Sequence, residues 1–392
     1  MPELKRKDKH ELFRVLPDGR YAFWFDHSMM AGYTGCETFF NYHTIQRLRL
    51  KGPARIPMSV GSWWSNVLEY YYTLRPKKTP FTLEDMIGCA GKAWVDNNMD
   101  DLERANPDRY EKFAMPMDRT DVARALGQHT ADAMFEHYIK RAEVMEASLA
   151  LAMSEEEAKH LEDEAKRLRS RSHVPIGPLI MASKYYINFA SMDERNWRVV
   201  AAERAFGADG EVFVGEDDRV VVYYMGKPDL VVYEQDTNTL VPVDHKTKDN
   251  IPYNVDTIWK PHSQTQGYIY SVGKIAKDLG FDVVVDRCVL NVAARLEPGP
   301  KAKQQGRFRR VRVSYNQAEI AEWQDDVMWK ANRLRTSLET NRWQRDHGFT
   351  CHVYAGCDYR RICSQPPSNR DLVKQSDFIT VEPWNPYGEE ED

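Results

Sequence analysis

The sequence predicts an α/β fold, and two observations carry that expectation. Short β-branched runs, Arg219–Tyr224, Leu230–Tyr233 and Leu240–Val243, are bounded by the Gly, Asp and Asn residues that punctuate strands. Between and around them lie longer stretches with apolar residues at helical spacing, at Val60–Leu74, Thr120–Leu151 and Ile320–Leu338. A chain of 392 residues has room for one large core or two ordinary ones. Hydrophobic residues make 42% and charged residues 29% of it, a globular balance. No apolar run is long enough to span a bilayer, so no membrane association is expected. The charged start, MPELKRKDKH, is no signal segment and implies the cytoplasm. With a net charge of −5, any contact with nucleic acid must rest on local patches.

In chain order, Tyr21–Trp24 reads as a short strand, and Ser28 reads as the cap of the next element. That element is a helix or helix pair carrying Cys36 and an apolar face of Phe39, Phe40, Tyr42 and Ile45. The strongly apolar helix Val60–Leu74 begins near Gly61 and places Ser65 and Glu69 on one face. From about Pro80 to Arg171 the pattern is mostly helical. There Ser154 and Glu157 resemble a capping box, with acids first and bases last. The charge run ending in Lys166, Arg167, Arg169 and Arg171 is either a solvated face or a DNA path. Trp197–Phe206 leads to Glu203 as a helix end or strand, and Val283–Leu296 reads as a strand burying Cys288. Lys301–Arg312 is the most basic segment, with no acid, either an exposed hairpin or a phosphate-neutralising patch. The segment after Pro366, ending in EEED, reads as a flexible acidic extension.

The centre of the chain is Gly226–Thr247, GKPDLVVYEQDTNTLVPVDHKT. Its two apolar runs and polar linker predict a hairpin. Asp229 opens the first strand, and Asp244 and Lys246 end the second on a shared face. Two carboxylates beside a lysine form either an ordinary salt bridge or a site for a hard divalent cation with Lys246 as charge stabiliser.

The spacing P-D, then D-x-K fifteen residues later, resembles the signature of the PD-(D/E)XK nuclease superfamily. GKPDLV followed by VDHKT is similar to its RecB/AddB-like branch, with phage-type members, and Gln264-x-x-x-Tyr268 resembles that branch's Q-x-x-x-Y helix. Gly61…Glu69 resembles G-x-x-x-H-x-x-x-E but has Ser65 where the metal-binding histidine is expected, and Glu203–Phe206 resembles an E-x-x-F segment. The resemblance implies a restriction-endonuclease-like core, a mixed sheet flanked by helices, with a large helical insertion. Its parts would be 1–79, carrying the first cysteine and motif helix, then the insertion at 80–175. A catalytic core at 176–315, a C-terminal helix with cysteines at 316–365, and a flexible tail at 366–392 would complete it.

It further implies a Mg²⁺- or Mn²⁺-dependent DNA nuclease, more an exonuclease than a sequence-specific cutter. Asp229 and Asp244, with the His245 carbonyl, would hold the metal. Lys246 would orient or stabilise, Gln264 and Tyr268 would position strand or backbone, and Glu203 would support the site. The sequence shows no P-loop, so any helicase motor would be a separate partner, and a recombinase or single-strand-binding protein is a further expected partner. The alternative is a cluster-stabilised DNA-binding accessory protein that has lost catalysis with the histidine.

Cys351-x5-Cys357-x5-Cys363 is a thiolate-rich set suited to zinc or iron–sulfur. Three ligands need a fourth. The resemblance to iron–sulfur members of the branch supplies Cys36 and implies a [4Fe–4S] staple between the chain ends. The even spacing departs from the family's tighter first interval, so zinc with His347 or His352 stays open.

Overall fold

A computed structural model describes residues 12–51, 56–77, 81–96, 186–187, 189–190, 196–207, 210–248, 251, 253–294, 308–348, 351–352 and 356–382. In chain order the elements begin with β1 Phe13–Val15, β2 Tyr21–Phe25, α1 His27–Gly35 and α2 Glu37–Phe40. The π-turn Asn41–Ile45 leads to β3 Leu48–Leu50, α3 Ile56–Leu74 and α4 Leu83–Asp96. Strands β4 Trp197–Ala202, β5 Phe213–Glu216, β6 Val220–Tyr224, β7 Leu230–Glu234 and β8 Thr239–Lys248 come next. The chain continues through α5 Ser263–Ile275, β9 Arg287–Ala294, β10 Phe308–Ser314 and α6 Gln317–Thr340. It closes with α7 Arg360–Cys363, α8 Arg370–Asp377 and β11 Phe378–Thr380.

The main sheet runs β10-β9-β8-β7-β4 and is mixed: β7–β8 is the antiparallel hairpin, and β8–β9 is parallel. A parallel pair needs a crossover, and α5 supplies it. Strand alternation then sorts side chains onto two faces. Leu230, Val232, Val241, Val243 and Val289 face Trp64, Leu68, Tyr71 and Tyr72 of α3. Val231 and Leu240 face Val272 of α5 and Ala276 just past its end. A second mixed sheet, β1-β2-β6-β5, pairs β2 parallel to β6 and packs its Val220–Tyr224 strand against α5 and α6. Gly267 permits this contact, because a Cβ there would lie 2.3 Å from the Tyr224 hydroxyl.

The chain ends meet in a third unit. Strand β11 pairs antiparallel with β3, and Tyr42, Leu48, Tyr359, Ile362 and Phe378 form a small core beneath them. The extension expected to be flexible after Pro366 therefore carries a helix and a paired strand as far as Thr380, because Phe378 has this core to enter. The acidic end, 383–392, lies outside the described residues. So do most of the expected helical insertion, its Lys166–Arg171 run, Thr120–Leu151 and Lys301–Gly306. The described end of the basic segment is strand β10, whose arginines are engaged. Arg309 pairs with Asp256, Arg310 lies over Trp197, and Arg312 reaches Glu234 at 2.7 Å. Helix α3 starts at Ile56, earlier than Gly61, and β9 starts at Arg287, later than Val283. Among the described residues no helix is long and apolar enough to cross a membrane.

Candidate active site

The hairpin register builds the site. Leu230 pairs with Val243, so the next pair outward sets Asp229 opposite Asp244. Past that point β7 has ended while β8 continues, and the freed His245 backbone N–H donates to Asp229 Oδ2. Alternation puts Asp244 and Lys246 on the α5 face. Their ion pair closes at 2.6 Å, with the Asp244 side chain 4% exposed. From α5, Gln264 Nε2 donates to Asp244 Oδ1 at 3.2 Å and to the Tyr268 hydroxyl at 3.2 Å. The Tyr268 hydroxyl in turn donates to the Lys227 carbonyl at 3.2 Å. Residues four apart on a helix share a face, which is why one turn of α5 reaches both strands.

Glu203 arrives from just beyond β4. Its backbone N–H donates to the Asp229 carbonyl at 3.0 Å, and its carboxylate pairs with Lys227 at 2.7 Å. Glu203 holds a φ of +49°, a left-handed conformation that costs a non-glycine residue about 1–3 kcal/mol. The bend turns the chain off the strand and its side chain toward the site.

Electrostatics follow from this crowding. Burial first, then the Asp244 and Glu203 carboxylates, push the Asp229 carboxyl well above the usual carboxylate range. Burial opposes the charge on Lys246, but Asp244 outweighs it and raises the ammonium pKa above its ordinary value. Asp229 is thus an acid short of positive charge, a deficit that a divalent cation corrects, and two carboxylates suit Mg²⁺ or Mn²⁺. Among the described residues no three His, Cys, Asp or Glu side chains stand together as a finished metal cage.

The His245 imidazole points to the opposite face of β8. It stacks on Tyr72 with planes 9° apart, and its Nδ1 meets the Asn291 amide at 3.1 Å. Burial, with Arg310 and Lys246 nearby, lowers its pKa to about 3. Its side chain is therefore no ligand for a cation between Asp229 and Asp244. Ser65 and Glu69 belong to α3, on that same far side of the sheet, and neither is among the described residues lining the cleft.

That cleft encloses about 630 Å³ where the chain crosses from the second sheet into the main one. Glu203, Asp229, Gln264 and Tyr268 form part of its wall. Asp26, His27, Ser28 and Lys227 join them, none singled out as a site residue from sequence. Asp26–Ser28 come after the apolar strand β2 much as Asp244–Lys246 come after the apolar part of β8, and that repeated strand-end pattern was the available signal. Asp26 caps α1 by accepting from the Met29 N–H at 2.8 Å, and burial lifts its pKa to about 6.

The cysteines lie in the end-joining unit. Cys36 sits between α1 and α2, and its Sγ accepts from the Phe39 and Asp346 N–H groups at 3.4 and 3.5 Å. Cys351 Sγ donates to the Asp346 carbonyl at 3.1 Å. Cys36, Cys351, Cys357 and Cys363 are all free and half-buried. Burial, followed by the neighbouring Cys363, Cys351 and Cys36, raises the Cys357 thiol despite the Tyr359 N–H. Cys89 and Cys288 are buried apart from this set.

A family model described as the PD-(D/E)XK nuclease superfamily matches residues 108–364, more than half of the chain. No curated protein matches the chain.

Proposed function

This chain belongs to the PD-(D/E)XK nuclease superfamily, and we propose that it is a Mg²⁺- or Mn²⁺-dependent deoxyribonuclease acting as an exonuclease. The observation that carries this reading is the register-built set of Asp229 opposite Asp244, with Lys246 at 2.6 Å and Gln264 bracing the second carboxylate. Asp229 and Asp244 would hold the cation, and the His245 carbonyl would join them, since a strand residue's N–H and C=O point the same way. When bound, the cation supplies positive charge against the charge that develops on the attacked phosphate. Lys246 donates to the attacking water or to a phosphate oxygen, stabilising the same charge. Gln264 and Tyr268 hold Asp244 and the Lys227 backbone in place, and Glu203 orients Lys227 toward the substrate. The setting would be DNA recombination, repair or phage DNA processing in the cytoplasm, beside a helicase, recombinase or single-strand-binding partner.

The cysteine set supports a second metal-directed role. Cys36, Cys351, Cys357 and Cys363 would hold a [4Fe–4S] cluster of the RecB/AddB-like branch, or structural zinc. The thiol donors suit such a group and lie within electrostatic reach of one another, while among the described residues they do not stand together as a finished metal site. Its role would be to staple β3 to β11.

The test is cleavage of end-labelled linear and closed circular DNA by anaerobically purified protein, with Mg²⁺, Mn²⁺ or EDTA. Cation-dependent degradation of the linear form alone, lost in Asp244→Ala, is the expected result. A folded wild type that cuts neither form selects the accessory-protein alternative, which the placement of Ser65 and Glu69 across the sheet favours. Cutting of the circle removes the exonuclease assignment.

A further inference from the structure

The cleft beside the carboxylates is completed by a part of the chain that the reaction does not use. Phe39, His43, Thr44, Arg47 and Arg49, from the end-joining unit, line another part of its wall, with Glu382 beside them. Two kinds of group meet there. Phe39 and His43 stack at 5.0 Å with planes 12° apart, and Tyr359 buttresses Phe39 edge-on at 5.4 Å. Next to this flat pair stand two guanidinium groups. Arg49 is fixed in place, its Nη1 donating to the His43 and Leu48 carbonyls at 2.7 and 2.9 Å. Arg47 has a weaker hold, facing Glu382 at 3.8 Å across side chains that are 39% and 90% exposed. So loose a surface pair is readily exchanged for a phosphate.

The backbone marks the same residue. Arg47 has a φ of +56°, and the Val381 N–H pins its carbonyl at 3.0 Å. Glu203, on the catalytic side, is also a non-glycine residue at positive φ, so strain is retained on both parts of one cleft. Cations beside aromatic rings are how proteins grip unpaired nucleotides, through phosphate charge and base stacking together, and Phe39 and His43, each half-buried, line the cleft with part of the pair. A volume of about 630 Å³ admits a short length of single strand. It does not admit a duplex, whose bases are hidden in their own stack.

We propose that this part of the cleft seats the end of a single DNA strand. A base would lie against the Phe39–His43 pair and a phosphate on Arg47 and Arg49, leading the adjoining phosphodiester to Asp229. The last step rests on the nuclease reading; the strand-binding step does not.

Fluorescence anisotropy in EDTA, where cation-dependent cleavage is silent, tests it. The probes are a labelled single-stranded DNA oligonucleotide, its blunt duplex and the matching RNA. The variants are Arg47→Gly, which suits the left-handed backbone, and Phe39→Ala, with His43→Ala as a second platform change and thermal melting as the folding control. Wild type should bind single-stranded DNA at least about tenfold tighter than duplex. Arg47→Gly should weaken it about tenfold and flatten the salt dependence by roughly one phosphate contact. Phe39→Ala or His43→Ala should weaken it about five- to a hundredfold. Equal affinity for duplex, or a folded Arg47→Gly that binds as wild type does, overturns the proposal; tighter RNA binding overturns the DNA assignment. Cleavage assays separate the two readings. A protein that shows the binding pattern without cleaving removes the nuclease reading alone, and one that cleaves without the pattern removes the strand pocket alone.

Discussion

The carboxylate site and the cysteine unit, each proposed above to hold a metal, are held together differently. At the carboxylates, side chains hold side chains: Lys246 and Gln264 each take one oxygen of Asp244. These residues come from a strand and a helix deep in the fold, so their positions are set before any cation arrives. Around the cysteines, sulfur meets backbone N–H and C=O on turns and short helices, and the core beneath is small. The first region is preorganised by the sheet, whereas the second has less apolar burial to stabilise it and gains more from a bound group. Loss of a catalytic side chain should therefore damage chemistry, and loss of a cysteine should damage the join between the chain ends.

The largest expected effect is that of Lys246→Ala. DNA cleavage should fall by about 10²–10³-fold or more, with iron content and strand binding unchanged; single-turnover assays on end-labelled DNA measure it. Parallel loss of iron would mean the two regions are one cooperative unit and break the contrast. Cys357→Ser should do the reverse. Iron and acid-labile sulfide should drop to background, and limited proteolysis should cut near β11 first, while cleavage per folded molecule stays within a fewfold of wild type. Wild-type resistance to proteolysis in that variant would remove the stapling role.

Acid sensitivity sharpens the comparison, because each region buries a neutral histidine. Burial, then Arg310 and Lys246, holds His245 at about 3 under the carboxylates. Burial, then Arg49, holds His43 at about 4 in the cysteine unit. Each lies below the unfolded value of about 6.5, so the unfolded chain takes up protons first as pH falls. Stability is full above about pH 6.5 and is lost toward pH 4, by on the order of 1 kcal/mol per pH unit for each histidine. His245→Phe and His43→Phe should each flatten the slope of denaturation midpoint against pH. An unchanged slope in either variant would mean that its histidine is charged in the fold.

The smallest effect is expected at Asp26, whose folded pKa of about 6 lies above the unfolded range. That sign is opposite: stability is lost as pH rises from about 4 to about 6, because only the unfolded chain ionises freely. Asp26→Asn keeps an oxygen to cap α1. It should raise stability by on the order of 1–3 kcal/mol at pH 7 and change little near pH 4. Equal denaturation curves at pH 7 would contradict it.

Much of the site was legible because its geometry is local. A D-x-K spacing at the end of an apolar run shares a face through strand alternation, and Gln264 with Tyr268 shares one through the helical turn. The hairpin and the strands at Tyr21 and Val220 were legible for the same reason, whereas the Trp197 stretch, a strand in the fold, read equally well as a helix end. Contacts set by pairing over long separations were not. Nothing local in Ser65–Glu69 says that α3 covers the far face of the main sheet, or that the β10 arginines are used by Asp256, Trp197 and Glu234. Phe378 escaped notice in a polar tail because its partners, Leu50 and Tyr359, lie elsewhere in the chain.

By itself, the sequence determined the order and spacing of Asp229, Asp244, Lys246, Gln264 and Tyr268, since periods of two and 3.6 residues act within a few positions of the chain. Only the tertiary structure decided that Gln264 would reach Asp244 and that a strained turn would deliver Glu203. It also decided that Arg47 and Phe39 would close the same cleft. Those contacts depend on sheet register and on packing between distant segments, and no local period encodes either one.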